Sequence, residues 1–254
     1  MADAVALWVY GVMPGDAPVP RCAGVDPRHD AELIRHADLS AIASEVGLDA
    51  FDQAALRESL EDLERLQTLA RAHERVLDDA LRLGPVVPFP MCTIFERVEH
   101  VHDMLEQERR RFAATLERLT ERAEWGVKAY LVPREDARAG AAPASGADYL
   151  RRKRHERTTA ESQWRVAADD VRRIHAALSE HAVGATLRRP QDRRLSGRPD
   201  EMVLNAAYLV PDREVADFRA RVDELARRIR EDGLVLELTG PWPAYHFAGS
   251  AAPE

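Results

Sequence analysis

The chain has 254 residues, enough for one large or two modest domains, and 45% of them are hydrophobic, as in ordinary globular proteins with a packed core. A formal net charge of -8 argues against a nucleic-acid partner, because such binders concentrate positive charge. No apolar run approaches the roughly 18 residues of a membrane span, and residues 1–10 lack the basic start of a signal peptide, so we expect a cytosolic protein with no membrane partner.

Strands are predicted at the start of the chain. The run VALWVYGV at 5–12 is almost wholly apolar and precedes the turn sequence MPGD, which predicts a strand buried on both faces. Two further strands are predicted over 32–36 and 39–46, where the apolar positions give partial patterning.

Two amphipathic helices are predicted next. Apolar residues at three- and four-residue steps predict helices over 52–83 and 98–119, and Gly84 with Pro85 supplies a stop for the first. The segment between them, 86–95, is apolar but contains two prolines, which restricts a strand there to a sheet edge or a bulge.

The second half reads strand, helix, strand, strand, helix, strand, which is the βαββαβ order of a ferredoxin-like fold. We therefore predict an α+β protein with an N-terminal α+β domain over 1–122 and a ferredoxin-like domain with a long first helix over 123–254. The six elements of the second domain are expected at 126–132, 147–183, 185–189, 202–210, 215–229 and 234–238.

The start of the long helix is unusually polar. Between Leu150 and Trp164 the only apolar residue is Ala160. Basic side chains crowd the same stretch, so it is either a solvated face or a docking surface for a partner; they are Arg151, Arg152, Lys153, Arg154 and Arg157.

No motif for catalysis, a metal or a nucleotide is recognisable. His73 and Glu74 begin like the zinc motif HExxH, but Leu77 stands where the second histidine is required. Cys22 and Cys92 are far apart and complete no metal site. We expect both cysteines to be reduced and structural, and we expect no catalytic residue, metal site or cofactor.

The C-terminal run LVLELTGPWPAYHF, 234–247, is the most distinctive segment. Gly240, Pro241 and Pro243 are expected to stop the last strand abruptly. Trp242, Tyr245 and Phe247 then bring three aromatic rings close together. The rings either fold back over the sheet as a lid or form an exposed anchor for a partner, since such residues are enriched at binding hot spots.

This run resembles the end of the GvpL/GvpF family of gas vesicle accessory proteins, whose members typically finish in a variant of ELTGPWPPYxF. Here residues 237–245 read ELTGPWPAY, with Ala244 in place of the second proline. A departure occurs at 90–92, where PMC stands in place of a sequence of the Arg-Phe-Gly type. Further similar segments occur in family order at 10–12, 39–42, 73–77, 84–89, 125–128, 149–150 and 204–210.

The resemblance implies two α+β domains, the second a modified ferredoxin fold, with no catalytic residues and no cofactor. It also implies a role in gas vesicle formation through contact with the small, hydrophobic shell protein GvpA and with other accessory proteins. We therefore expect a chaperone-like carrier or nucleator of shell subunits. The alternatives are a minor structural component of the vesicle shell and an enzyme that uses the ferredoxin-like cleft.

Overall fold

The computed structural model describes residues 5–51, 62–132, 145–192, 198 and 200–249. Contacts between residues divide the chain into two compact units, Met1–Ala123 with Trp242–Glu254, and Glu124–Pro241. The sequence predicts a boundary after residue 122 and a second domain that runs to the C-terminus. The contacts instead group the last residues of the C-terminal run with the first unit.

The first unit contains an antiparallel sheet built around its opening strand. This strand, β1 (Val5–Pro14), lies between β3 (Leu39–Gly47) and β4 (Val87–Pro88), and β2 (Glu32–His36) pairs with β3 at the edge. The short strand β5 (Ile94–Phe95) also pairs with β1. The proline-containing segment 86–95 thus lies at a sheet edge, as predicted, because a strand with missing N–H donors is tolerated there.

Two local features make room for β4 and β5 beside β1. A Cβ on Gly11 would lie 2.5 Å from the carbonyl oxygen of Val87, so glycine permits the close approach of β4. In the turn between β4 and β5, Cys92 has φ +69°, in the left-handed region that favours glycine. The departure from the family pattern at 90–92 therefore falls on a strained backbone position.

Helices cover both faces of this sheet. The short α1 (Leu48–Phe51) follows β3, and α2 (Leu63–Leu83) packs on the face that carries Trp8 and Tyr10. The carboxylate of Asp62 caps α2 by accepting from the N–H groups of Glu64 and Arg65, at 2.9 and 3.2 Å. The predicted first part of this helix, 52–61, lies outside the described residues.

The predicted helix over 98–119 is two helices. The first, α3 (Val98–Gln107), contacts β2 and β3, and the second, α4 (Arg109–Leu119), contacts β1, β3 and β4. They are separated at Glu108, whose φ of -99° and ψ of 5° leave the helical region. The surrounding sequence is rich in Glu and Arg without Gly or Pro, so nothing in it predicts the break.

The second unit has the predicted ferredoxin-like element order, and the protein is of the α+β class. Its four strands follow the spatial order β7-β8-β6-β9. Helices α5 and α6 contact each other and β8, and Tyr208 of β8 packs against Phe218 of α6 with ring centroids 5.5 Å apart. The elements are β6 (Arg122–Leu131), α5 (Gly146–Ser179), β7 (Gly184–Leu187), β8 (Glu201–Pro211), α6 (Val215–Ile229) and β9 (Leu234–Trp242).

Three predicted bounds in this unit are wrong. Strand β6 begins at Arg122, before the predicted start at 126. Helix α5 ends at Ser179, where backbone bonds from His181 to Leu178 and from Ala182 to Ser179 form a tighter turn. Strand β9 continues through Gly240 and Pro241 to Trp242 instead of stopping. It can do so because β9 is an edge strand, where a missing N–H is tolerated, and because glycine adopts the φ of +123° found at Gly240.

Candidate interaction surfaces

His73, the first residue of the incomplete zinc motif, is a buried structural residue. Its side chain lies in the core of the first unit, where the indole N–H of Trp8 donates to His73 Nδ1 at 3.0 Å. Because Nδ1 accepts, the ring proton is on Nε2, which donates to the carbonyl oxygen of Phe89 at 3.2 Å. Both ring nitrogens are therefore occupied by protein groups.

Burial also keeps this histidine neutral. Removal from water disfavours the imidazolium form and lowers the pKa of His73 to about 4, although the carbonyl of Phe89 acts in the opposite direction. Leu77, one turn later on α2, is fully buried as well. A neutral ring with both nitrogens satisfied stabilises the core and has no free position for a metal or a substrate.

The two cysteines also lack the features of reactive thiols. Both cysteines are free thiols, and burial together with the nearby Asp79 carboxylate raises the pKa of Cys22 to about 11. Burial raises the pKa of Cys92 as well. Within the described ranges, no group of three or more His, Cys, Asp and Glu side chains is placed to hold a metal ion.

Among the described residues, no helix is both long and apolar enough to span a membrane.

The segment Trp242–Gly249, which contains the end of the C-terminal run, is held within the first unit by Tyr245. The Tyr245 hydroxyl donates to Oε1 of Glu74 on α2 at 3.0 Å, and its ring packs against the core of this unit. Burial raises the pKa of the Glu74 carboxyl, and the bond from Tyr245 opposes that shift. A turn that buries Ala244 and Ala248 completes the attachment, with Ala248 N–H donating to the Ala244 carbonyl at 2.8 Å.

The three aromatic rings of this run have different environments. Tyr245 and Phe247 are half-buried, whereas Trp242 remains 41% exposed at the end of β9. Tyr245 thus packs on the core beside α2, whereas Trp242 is exposed, and a role of Trp242 as an anchor for a partner stays a prediction. A large ring held at the surface by an ordered segment is well suited to a protein contact, because little side-chain and backbone freedom is lost on binding.

A second exposed surface is formed by the described side chains in the amino-terminal half of α5. Every described side chain from Leu150 to Val166 is exposed, and the first buried one is Ala167. Leu150 is 60% exposed and Trp164 is 43% exposed. The described side chains at the two ends of this half are therefore basic or apolar and lie away from the core of the second unit.

The predicted basic residues lie within this half of α5. The helix includes Arg151, Arg152 and Arg154 in its backbone, and the side chains of Lys153 and Arg154 are exposed. The side chains of Arg151 and Arg152 lie outside the described part of the structure. The sequence pattern predicted the basic charge of this surface but not the exposure of Trp164. The polar sequence before Trp164, which lacks apolar periodicity, could have indicated that its ring is exposed.

Comparison with known proteins identifies relatives along almost the whole chain. Residues 6–249 match the family described as gas vesicle synthesis protein GvpL/GvpF. The chain is 41% identical to gas vesicle protein L of Streptomyces sp. (strain CB03234), over 96% of this chain and 93% of that protein. It is 26% identical to gas vesicle protein F2 of Halobacterium salinarum, over 95% of this chain and 91% of that protein.

Solved structures give the same fold. The crystal structure of GvpF from Anabaena sp. PCC7120 matches with a TM-score of 0.70 and 18% identity, covering 96% of each chain. The crystal structure of GvpF from Microcystis aeruginosa matches with a TM-score of 0.67 and 17% identity, covering 96% of this chain and 98% of that one.

Proposed function

This chain belongs to the GvpL/GvpF family of gas vesicle synthesis proteins, and from that premise we propose that it is a chaperone-like carrier or nucleator of vesicle assembly. It binds the hydrophobic shell protein GvpA and presents it to other accessory proteins. Family membership assigns it an accessory role in gas vesicles, and the shell protein as its partner is our inference.

The physical need for such a carrier follows from the shell. A shell subunit that presents an apolar face to gas associates in water before assembly, because large exposed apolar patches drive aggregation. A partner that covers this face keeps the subunit separate. The formal net charge of -8 on this chain adds charge repulsion that keeps the complexes apart.

The observation that carries the proposal is the exposed Trp242 on an anchored segment. Tyr245 and its bond to Glu74 fix the run on the first unit, and the neighbouring indole remains at the surface. A tryptophan supplies a large apolar contact with few rotatable bonds, which is the usual composition of a binding hot spot. We propose that Trp242, with Tyr245 and Phe247 around it, contacts the shell protein.

Replacing Trp242 by alanine should weaken shell-protein binding about tenfold or more, because it removes the exposed indole. The expected readout is a lower yield of GvpA co-purified with the tagged variant at an unchanged melting temperature. Trp164→Ala is the matched control, since it removes an exposed indole from α5 and should leave GvpA binding unchanged. A folded W242A variant that binds GvpA normally would contradict the assignment.

The exposed half of α5 supports contacts with other accessory proteins. Its arginines suit acidic partners, and Leu150 and Trp164 add apolar surface beside them. We propose that Arg151, Arg152 and Arg154 take part in this contact.

A triple variant tests this surface. Arg151→Glu, Arg152→Glu and Arg154→Glu together should lower the affinity for an accessory partner at least about tenfold, through charge reversal. GvpA binding and the melting temperature should not change. Arg172→Glu, on the same helix but beyond this surface, is the matched control. If the triple variant binds the accessory partner as well as the control does, the basic cluster is a solvated face and not a docking surface.

A further inference from the structure

Strand β7 is an open edge of the second sheet. The order β7-β8-β6-β9 places no described strand on its outer side. Its inner side pairs with β8 in antiparallel register, from Gly184 opposite Leu209 to Leu187 opposite Ala206. An edge of this kind can accept a strand from another chain.

The pairing pattern identifies which backbone groups face outward. The N–H of Arg188 donates to the carbonyl of Asn205 on β8 at 2.7 Å. Because backbone groups of alternate residues point to the same side of a strand, those of Thr186 also face β8. The N–H and C=O groups of Ala185 and Leu187 therefore point away from the sheet.

Apolar side chains beside these groups are exposed. Leu187 is 58% exposed and Val183 is 54% exposed. The register places Ala185 and Leu187 on the same side of the sheet as Tyr208, which packs against α6. An added strand would extend this helix-covered side, and its own apolar side chains would cover Leu187.

The charge beside the edge is positive. The side chains of Arg188 and Arg189 directly follow β7 and are exposed. Neither guanidinium forms an ion pair with another residue in the described ranges. Two exposed arginines beside an open strand favour carboxylates, which bind guanidinium groups through paired hydrogen bonds.

From these three features we infer that β7 is a docking site for an extended acidic segment of a partner protein, which adds to the sheet as a further antiparallel or parallel strand. Backbone bonds to Ala185 and Leu187 hold the segment, Val183 and Leu187 contact its apolar side chains, and Arg188 with Arg189 bind its acidic end. This surface goes beyond the shell-protein role and does not depend on it.

A protected edge and a self-pairing edge are the two alternatives for β7, and a dimer of the unchanged chain is one outcome of the test. Short strands and flanking charges protect many natural edges from association, but protection does not account for two apolar side chains left more than half exposed. Antiparallel pairing with a second copy would cover the backbone groups of β7 but would supply no carboxylate from β7 itself, whose four residues are Gly, Ala, Thr and Leu. An acidic strand from a different protein satisfies both the apolar side chains and the arginines.

A fluorescent synthetic peptide tests the inference. It alternates valine and threonine, carries glutamates at both ends, and is titrated into the full chain at low salt. We expect saturable binding that weakens about tenfold in Ala185→Pro, which removes an outward N–H without touching the bonds to β8. Ala185→Ser keeps that N–H and should bind as the unchanged chain does.

A second variant covers the case in which the proline disturbs folding. Arg188→Glu with Arg189→Glu should weaken the glutamate peptide about tenfold and strengthen a matched lysine peptide. Three results would overturn the inference: no binding of the glutamate peptide, equal binding by both peptides, or a dimer of the unchanged chain that Ala185→Pro abolishes. GvpA binding should be unaffected in all these variants, which separates this test from that of Trp242.

Discussion

Replacing His73 by alanine should lower the free energy of unfolding by about 4 kcal/mol, the largest effect we expect from one side chain. The change opens a cavity in the core of the first unit and removes the acceptor of the Trp8 indole N–H. A buried donor without a partner adds its desolvation penalty to the cavity. Urea unfolding at pH 7, followed by tryptophan fluorescence, measures the difference.

A double-mutant cycle with Trp8→Phe separates the two contributions. In that background the orphaned N–H no longer exists, so His73→Ala should cost about 1–2 kcal/mol less than it does alone. Identical costs in both backgrounds would show that the bond between Trp8 and His73 does not stabilise the fold. A loss under about 1 kcal/mol in the single variant would contradict the buried placement itself.

Lowering the pH from 7 to 4 should remove about 3 kcal/mol of stability through His73. Its pKa is about 4 in the folded chain, against 6.5 as the ordinary value. Between these values the unfolded chain binds a proton that the folded chain does not. The stabilisation is therefore complete above pH 6.5 and is lost as the pH falls toward 4.

The variant His73→Gln isolates this effect, because an amide can still accept from Trp8 but does not titrate. Other groups contribute with the opposite sign; burial raises the pKa of Glu74, whose contribution therefore grows as the pH falls. Since these groups are present in both proteins, the difference between wild type and variant reports His73. Parallel stability curves from pH 7 to 4 would contradict the low pKa.

Local patterns predicted most of the fold. Strand β2 has the predicted bounds, Glu32–His36, because its apolar and turn residues lie together in sequence. The order of the second unit also follows from local periodicity. The errors arise where tertiary context decides: Gly240 and Pro241 read as a stop, but an edge strand tolerates both. Glu108 breaks a helix without any local breaker.

The candidate surfaces were less predictable, because exposure depends on contacts distant in sequence. Tyr245 and Glu74 are 171 residues apart, and no periodicity indicates that they meet. Trp242 and Tyr245 are near neighbours of similar chemistry, yet one is exposed and the other packs on α2. The sequence could identify the aromatic run as distinctive but could not assign each ring to the core or the surface.

The carrier role is tested most directly by co-expressing this protein with a tagged GvpA-type shell protein and measuring how much GvpA stays in solution and co-purifies. We expect GvpA to remain in the supernatant as a complex with this chain, and we expect Trp242→Ala to return it to the pellet. If GvpA still aggregates and no complex forms while both partners are assembly-competent, the carrier role is contradicted. Retention of this chain on washed vesicles in fixed proportion to GvpA would instead identify a component of the shell.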